Sequence, residues 1–592
     1  MCGICGELRL DGQVAELSRI RAMLTELERR GPDHEGSYSD GPLGMGHRRL
    51  SIIDLSAHAH QPMIDAELGL VIVFNGTIYN YPELRQELMG LGYRFFSSGD
   101  TEVILKAFHA WGEACVERLT GMFAFAIWDM SRKRLFLARD RFGIKPLYFS
   151  NNSGRLLFAS NVQALLATGD VDTTFDPAGL HHQFTLHAVV PAPLTIFKGI
   201  RKLPPAHTMT IDAEGRHEIK PYWHLIARRP AESRSEDEWI EAIHGALKQA
   251  VDKRIRISDV PVGVLLSGGL DSSLLVGLLA EAGVSDLKTF TVGFEDQPEE
   301  KGSEFEYSDP VAQRFNTNHH KFHIPNSQVL ERLPEAVDAM AEPMFGQDAI
   351  AFYLLSEQVS KVVKVVQSGQ GADEVFGGYF WYPQMAAETE GPLVDRFGKY
   401  YFDRDHEEWL EMFTPQYHSG DVTSQLIGSR LEQAQADEFI DAVLSLDVTT
   451  LIVDDPVKRV DNMTMAWGLE ARVPFLDHEL VELAAQMPPE LKLRDGGKYV
   501  LKKIARGLIP DSVIDRPKGY FPVPALKYVR GEFLEFMRDI LDSQACRERG
   551  LYQRDYIDRL LTAPEEHLTR IKGSKLWHIA LLEFWLQRHH IS

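Results

Sequence analysis

A chain of 592 residues exceeds what one hydrophobic core usually organises, so we expect two or more domains. Hydrophobic residues make up 44% and charged residues 25%, which is typical of folded globular proteins and excludes disordered and fibrous architectures. No apolar run reaches the ~18–20 residues of a membrane helix, and we expect neither a membrane association nor a secretory signal. The formal charge of −22 opposes non-specific binding to nucleic acid, but it allows a phosphorylated small molecule in a local pocket.

The first two hundred residues are predicted to contain short strands punctuated by a few helices. Residues 69–74 and 134–138 are bounded by turn residues and rich in apolar or β-branched types, which is typical of strands. Helical periodicity runs through residues 15–29, 81–89 and 101–111. This pattern predicts an α+β unit with packed sheets.

A second domain is predicted to start near residue 235. Residues 227–234 have the composition of a linker, and Ser235 with Glu238 three residues later forms a capping-box signature for a long helix. Buried strands are then predicted at 260–266, 287–294 and 362–367, with a helix from about 272 to 282. Strands that alternate with helices indicate a parallel α/β sheet. After about residue 383 the chain is predicted to be mostly helical, with a buried last helix at 576–586.

The four cysteines are too few for a disulfide framework, which favours a reducing compartment, and we expect a cytoplasmic protein.

Cys2 follows Met1 and precedes a small residue, so removal of Met1 would leave it at the N-terminus. There its α-amine, with a pKa of ~8, could act as the base for its own thiol. Cys2 and Cys5 also match C-x-x-C, but the redox and zinc interpretations lack a preceding strand and a second ligand pair. Cys5 is therefore predicted to be a small buried side chain.

Four segments follow Cys2 in a specific order, namely Arg-Gly-Pro-Asp at 30–33, His-Arg-Arg-Leu-Ser-Ile at 47–52, Phe-Asn-Gly at 74–76 and Gly-Asp-Thr-Glu at 99–102. Over residues 2–215 this set resembles the glutaminase domain of class II (N-terminal-nucleophile) glutamine amidotransferases.

The resemblance implies that Cys2 attacks the side-chain amide of glutamine. It implies an oxyanion hole formed by the Asn75 side chain and the Gly76 N–H, with Arg49 holding the substrate carboxylate and Asp100 its ammonium. Taken singly, Asn75 and Gly76 could instead form a hairpin turn and Asp100 a helix cap.

A second loop, Ser-Gly-Gly-Leu-Asp-Ser-Ser at 267–273, lies between a predicted strand and a predicted helix. Glycines allow close approach of an anion, and serines and a helix N-terminus donate hydrogen bonds to it. An aspartate in such a loop suits a phosphate only when a cation such as Mg²⁺ bridges the two. The loop is not a Walker motif, but it resembles the pyrophosphate loop of the ATP-pyrophosphatase superfamily.

Further segments at 368–374, 376–379, 468–477 and 498–499 extend this resemblance to the synthetase domain of asparagine synthetases, over about residues 235–530. The resemblance implies ATP and Mg²⁺ as cofactors and assigns a role to each matching residue. Asp271 and Asp373 would bind the metal, and Lys498 would neutralise phosphate charge. The remaining nucleotide and phosphate contacts would be Leu266, Ser267, Gly269, Ser272, Val292, Ser368 and Gly369.

The whole chain thus resembles the asparagine synthetase-like amidotransferases, which implies two domains. Residues 2–226 would form an α+β glutaminase domain of the Ntn-hydrolase type, an αββα sandwich. Residues 235–592 would form an α/β ATP-pyrophosphatase-type synthetase domain with a parallel sheet and a helical C-terminal part. Ammonia released from glutamine would pass through an internal channel to an acyl-adenylate, with AMP and pyrophosphate as products.

Two departures from the family pattern bear on the carboxylate acceptor. Thr77 and Gln370 stand where the family usually has glutamates. The segment at 365–375 is most similar to N-acetylglutaminylglutamine amidotransferases, which amidate a dipeptide carboxylate to make a bacterial osmolyte. Aspartate is the alternative acceptor, and a non-catalytic regulatory homologue is disfavoured by the intact Cys2, Asp271 and Asp373. The sequence leaves the oligomeric state open, although relatives are often dimers and a homodimer fits the family.

Overall fold

The computed structural model describes residues 2–152, 154–212, 214–296, 301–517 and 524–592. Its N-terminal part contains two antiparallel sheets with the strand orders β10-β8-β9-β1-β3-β2 and β12-β11-β7-β6-β5-β4. The strands are β1 (Gly3–Arg9), β2 (His34–Asp40), β3 (Leu43–Arg49), β4 (Met63–Asp65), β5 (Leu70–Ile78), β6 (Gly121–Asp129), β7 (Arg134–Arg139), β8 (Tyr148–Asn152), β9 (Arg155–Ala159), β10 (Arg201–Lys202), β11 (His207–Ile211) and β12 (His217–Pro221). The helices of this part are α1 (Leu17–Glu26), α2 (Tyr81–Gly90), α3 (Asp100–Trp111), α4 (Cys115–Arg118), α5 (Val162–Leu166) and α6 (Pro177–Thr185).

Alternation along the central strands explains why the two sheets stack. In β1, Ile4 faces the second sheet, whereas Cys5 packs with Leu24 of α1 on the outer face. In β5, Val73 joins the core between the sheets, whereas Phe74 packs against α3. A period of two places successive side chains on opposite faces, so each sheet buries one face against the other and one against helices. The predicted αββα layering is confirmed.

The C-terminal part is built on a parallel sheet of order β15-β14-β13-β16-β17. Its strands are β13 (Val262–Leu265), β14 (Lys288–Phe294), β15 (Asn318–Ile324), β16 (Val365–Gln367) and β17 (Glu470–Arg472). Its helices are α7 (Glu236–Arg256), α8 (Leu270–Glu281), α9 (Phe305–Arg314), α10 (Asn326–Asp338), α11 (Asp348–Ser360), α12 (Ala372–Phe376), α13 (Trp381–Ala387), α14 (Leu393–Tyr401), α15 (His406–Met412), α16 (Val422–Gln433), α17 (Phe439–Leu446), α18 (Lys458–Met465), α19 (His478–Ala485), α20 (Glu490–Leu493), α21 (Tyr499–Ala505), α22 (Asp511–Ile514), α23 (Pro524–Lys527), α24 (Gly531–Asp542), α25 (Gln544–Arg549), α26 (Arg554–Thr562) and α27 (Lys575–Arg588).

Both faces of the parallel sheet are covered by helices. Val264 packs in one core with Leu247 of α7 and Leu274 of α8, whereas Leu265 faces the opposite core with Phe352 of α11. The central strands β13 and β14 are buried and rich in apolar residues, as expected for a parallel sheet. The edge strands differ, because β15 is polar and half exposed and β17 carries Glu470 and Arg472. The predicted α/β fold with a helical C-terminal part is confirmed. Within the described residues, no helix combines the length and apolar character that crossing a membrane requires.

Several local predictions are confirmed. Ser235 caps α7, and Ser235 and Glu238 make both reciprocal hydrogen bonds of the capping box. Cys5 is fully buried, and α27 is buried along most of its length. The helix predicted over residues 15–29 is shorter, because a 3-10 turn at Glu28–Arg30 ends it after Glu26.

The sequence predicts that the histidine pairs His181-His182 and His319-His320 are surface or loop residues, and for His181-His182 this prediction is wrong. His181 and His182 are buried on α6, and each places its Nδ1 atom within 2.9 Å of Thr423 Oγ1 on α16. His319 and His320 lie half-buried in β15, where the ring of His320 stacks on that of Phe290. His181 and His182 are buried because α6 packs against α16, which lies more than two hundred residues further along the chain, and sequence neighbours do not reveal that contact.

Candidate functional site

Cys2 lies immediately before β1, at one end of the first sheet. Gly3 pairs with Arg48 in the neighbouring β3, which brings Cys2 beside Arg49. The Cys2 side chain is 7% exposed, and its backbone N donates a hydrogen bond to Asn75 Oδ1 over 3.0 Å. Burial raises the pKa of the Cys2 thiol, so the thiol needs a base before it can act as a nucleophile.

Asn75 and Gly76 lie within β5, so the hairpin-turn alternative for this pair is wrong. The Asn75 side chain is fully buried, and its Nδ2 atom has no hydrogen-bond partner among the described residues. A Cβ atom on Gly76 would lie 2.1 Å from Met122 O, so only glycine allows β5 to pair with β6 here. A buried donor without a partner costs free energy unless a ligand or reaction intermediate accepts its hydrogen bond.

Arg49 and Asp100 line the same pocket as Cys2. The Arg49 guanidinium is held by carbonyl oxygens, including Ser56 O at 3.0 Å, which fixes its orientation. Asp100 is the first residue of α3 rather than its cap, and its Oδ2 accepts a hydrogen bond from Ile78 N over 3.0 Å. Burial raises the pKa of Asp100 to about 6. A guanidinium and a carboxylate in one pocket can bind the two charged groups of a free amino acid.

Glu470 is a pocket residue that sequence reasoning missed. It belongs to β17 of the C-terminal part, yet it lines the Cys2 pocket and accepts a hydrogen bond from Thr77 Oγ1 over 3.3 Å. Its Oε1 also accepts a hydrogen bond from Arg472 Nε over 2.5 Å. Burial opposes ionisation of Glu470, but the charge of the Arg472 guanidinium holds its pKa at about 2. No local signal could have placed it here, because Thr77 lies 393 residues earlier.

A buried ion-pair network joins the Cys2 pocket to α18. Arg30 Nε donates to Cys2 O over 3.2 Å, and its Nη1 and Nη2 donate to the Asp461 carboxylate over 2.8 and 3.3 Å. Lys145 Nζ lies 3.2 Å from the same carboxylate. The position of Cys2 is therefore coupled to the C-terminal part.

A second pocket lies at the carboxyl ends of β13, β14 and β16, where parallel sheets usually bind ligands. It brings together eight of the sequence-predicted residues, namely Leu266, Ser267, Asp271, Ser272, Val292, Ser368, Gly369 and Asp373. Gly269 lies beside it as the residue before α8, and its N–H donates to Ser267 Oγ over 3.3 Å. Gln370, which replaces the family's glutamate, also lines this pocket.

Lys498 joins the two predicted metal-binding carboxylates at the edge of this pocket. Its Nζ lies 2.6 Å from Asp271 Oδ2 and 2.9 Å from Asp373 Oδ1. Burial opposes the charged form, but the two carboxylates raise the pKa of Lys498 above its usual range. Two carboxylates that converge on one cation offer only hard oxygen donors, which is the donor set that suits Mg²⁺.

A cavity of about 460 Å³ adjoins the second pocket, and Asp348 lines both. Arg459 Nε lies 3.0 Å from Asp348 Oδ2 at this junction. One wall of the cavity is aromatic and consists of Tyr379, Phe380, Trp381 and Tyr401. Glu374 also lines the cavity, and its Oε1 accepts a hydrogen bond from Tyr379 OH over 2.7 Å. The volume lies within the range of small-molecule binding sites, and sequence reasoning did not identify this cavity.

The chain matches two family models, "Asparagine synthase" over residues 242–587 and "Glutamine amidotransferase domain" over residues 1–223. It is 33% identical to asparagine synthetase [glutamine-hydrolyzing] 1 of Bacillus subtilis, over 99% of this chain and 96% of that protein. Amidase chyE of Penicillium rubens is 27% identical over 93% of each chain. Among solved structures, the glutamine phosphoribosylpyrophosphate amidotransferase of B. subtilis matches at 15% identity with a TM-score of 0.32, over 54% of this chain and 90% of that chain.

Proposed function

We propose an acceptor for this chain, which belongs to the asparagine synthase family and is an ATP-dependent, glutamine-hydrolysing ligase. The proposed acceptor is N-acetylglutaminylglutamine. The carboxylate of this dipeptide would become an acyl-adenylate with loss of pyrophosphate, and ammonia would then displace AMP from the acyl carbon to form the amide. The observation that carries the proposal is the cavity of about 460 Å³ that adjoins the second pocket at Asp348.

Nitrogen release is assigned to the Cys2 pocket. After removal of Met1, the Cys2 thiol attacks the side-chain amide of glutamine while its own α-amine takes the thiol proton. The oxyanion of the tetrahedral intermediate accepts hydrogen bonds from Asn75 Nδ2 and the Gly76 N–H. As the intermediate collapses, the α-ammonium returns its proton to the leaving nitrogen, which departs as ammonia and leaves a glutamyl thioester. Water then hydrolyses the thioester to glutamate and frees the Cys2 thiol. Asn75 Nδ2 has no hydrogen-bond partner among the residues that the structure describes, and this supports the role, because the intermediate supplies an acceptor.

Acceptor activation is assigned to the second pocket. The acceptor carboxylate attacks the α-phosphorus of ATP, and pyrophosphate leaves toward Ser267, Gly269 and the N-terminus of α8. Lys498 neutralises charge on the departing phosphates, and its contacts with Asp271 and Asp373 place its ammonium group beside the loop. When bound at these two carboxylates, Mg²⁺ would supply further charge neutralisation.

Ammonia must cross between the pockets without protonation. At neutral pH only about one molecule in a hundred stays unprotonated in bulk water, so an internal route is needed. The strands β16 and β17 run side by side between the two sites, because Glu470 lines the Cys2 pocket while Ser368 N donates to Arg472 O over 2.9 Å. We therefore place the channel along this edge of the parallel sheet.

The size and wall of the cavity favour a dipeptide over aspartate. A dipeptide with an acetyl group has more than twice as many atoms as aspartate and would occupy correspondingly more of the cavity. Aromatic rings such as Trp381 and Tyr401 can pack against peptide planes. Aspartate is the alternative acceptor, and the names of the bacterial relatives favour it.

Incubation of the purified protein with ATP, glutamine and either N-acetylglutaminylglutamine or aspartate distinguishes the two proposed acceptors. Mass spectrometry of the amide and a pyrophosphate assay should show turnover with N-acetylglutaminylglutamine and little with aspartate. Phe380→Ala, at the 41% exposed edge of the cavity, should raise the KM for the dipeptide, whereas Phe96→Ala, at a 47% exposed site away from it, should not. Amidation of aspartate alone would refute the proposed acceptor.

A further inference from the structure

We infer that Glu470, a residue of the C-terminal part, completes the glutamine pocket by holding the substrate ammonium together with Asp100. The inference rests on the proposed glutaminase function of the Cys2 pocket and adds a positioning residue to it. Thr77 carries no charge, so the segment after Asn75 and Gly76 supplies no carboxylate of its own.

The Glu470 carboxylate lies next to Thr77 and so supplies a negative charge on the side of the pocket where Thr77 has none. Glu470 is fully buried and lines the pocket together with Cys2, Arg49, Thr77 and Asp100. The Thr77 hydroxyl donates to Glu470 Oε1 over 3.3 Å, so the uncharged Thr77 side chain directly contacts the Glu470 carboxylate.

The charges in the pocket match a free amino acid. The Arg49 guanidinium is fixed by backbone carbonyls and is suited to the substrate carboxylate. Asp100 and Glu470 are both buried there, and each raises the free energy of ionising the other. Arg472 already pairs with Glu470, which keeps that carboxylate ionised. A substrate ammonium between Asp100 and Glu470 would relieve their mutual repulsion.

Glutamine binding would therefore depend on the C-terminal part. Glu470 begins β17, and β17 pairs with β16 from Val365 to Gln367. The next residue, Ser368, lines the second pocket. Because Glu470 belongs to β17, the Cys2 pocket contains both carboxylates proposed for the substrate ammonium only when the parallel sheet is packed against the N-terminal part. The same strand thus takes part in glutamine binding and abuts the site of acceptor activation.

Glu470→Gln in the full-length protein tests the inference, with glutaminase and ammonia-supported synthesis measured separately. The KM for glutamine should rise about 10- to 100-fold, because one partner of a buried charge pair is lost. The kcat for glutamine hydrolysis should change less than about threefold, since Cys2, Asn75 and Gly76 are untouched, and ammonia-supported synthesis should persist. Glu583→Gln is the matched control, because Glu583 is equally buried and lies 3.1 Å from Arg549, with no contact to the pocket.

A second pair of variants separates a binding role from a purely structural one. Thr77→Glu combined with Glu470→Gln should lower the KM at least about fivefold relative to Glu470→Gln, because it returns a carboxylate to the pocket. Thr77→Val keeps the shape of the side chain but removes its hydroxyl, and it should raise the KM about two- to fivefold.

Three outcomes would overturn the inference. The first is a Glu470→Gln variant whose KM for glutamine is unchanged, and the second is an equal loss of glutamine- and ammonia-supported synthesis without rescue by Thr77→Glu. The third, which applies if Glu470→Gln does not fold, is an unchanged KM in Thr77→Val. The proposed function fails separately, if the unmodified protein shows no glutamine hydrolysis that depends on Cys2.

Discussion

Replacement of Asn75 by alanine tests the proposed oxyanion hole. In the resting site, Asn75 Oδ1 accepts a hydrogen bond from Cys2 N, whereas Nδ2 is buried without a partner among the described residues. The variant removes the one side-chain donor proposed for the oxyanion and keeps the Gly76 N–H. Glutamine hydrolysis should therefore become slow, while ammonia-supported synthesis should continue.

The expected magnitudes for activity and stability differ. Loss of one oxyanion-hole donor costs about 2.7–4 kcal/mol, which is a fall in kcat of about 10²–10³-fold. For stability, removal of the unsatisfied Nδ2 donor gains about 1–3 kcal/mol, whereas the buried Cys2 N–H loses its acceptor, which costs about 1–3 kcal/mol. These terms and the small cavity largely offset one another, so the free energy of unfolding should change by less than about 2 kcal/mol.

Steady-state glutaminase kinetics and denaturant unfolding measure the two quantities on the same preparation. Gln183→Ala is the control, because Gln183 is also a buried amide, and its Oε1 has no hydrogen-bond partner in the described part of the chain. Gln183 lies away from the pocket, and its Nε2 donates to Pro343 O. A fall in kcat of less than tenfold, or an effect confined to KM, would refute the reasoning. An equal loss of ammonia-supported synthesis would show that the variant damages the whole molecule.

Three further predictions follow from the two pockets. Cys2→Ala should abolish glutamine-supported synthesis, because no nucleophile remains, while added ammonia still supports amide formation in the same assay; loss of both would contradict separate sites. Asp271→Asn should reduce pyrophosphate release with either nitrogen source, because one of the two carboxylates at the phosphate loop is lost; undiminished ammonia-driven release would exclude its role there. The KM for glutamine should fall as the pH rises through about 6, because burial raises the pKa of Asp100 to about 6 and only its carboxylate form can hold the substrate ammonium. Glu470, with a pKa of about 2, stays ionised over this range, so Asp100→Asn should raise the KM and remove its pH dependence.

Much of the fold was predictable because its signals are local. The capping box at Ser235 and the apolar or β-branched segments at 69–74 and 134–138 depend on residues a few positions apart, and they correspond to α7, β5 and β7 in the structure. The end of the helix over residues 15–29 was not predictable, because the periodic pattern continues through a 3-10 turn.

The sequence by itself determined which chemistry-bearing segments are present, because the phosphate loop at 267–273 and the Asn75-Gly76 pair are contiguous motifs. Only the tertiary structure decided which residues from distant segments share a pocket. Thr77 meets Glu470 because β17 of the parallel sheet packs beside the antiparallel sheets, and Asp348 connects two cavities because α11 begins between them. Such contacts depend on how whole sheets and helices pack, and no spacing along the chain encodes them.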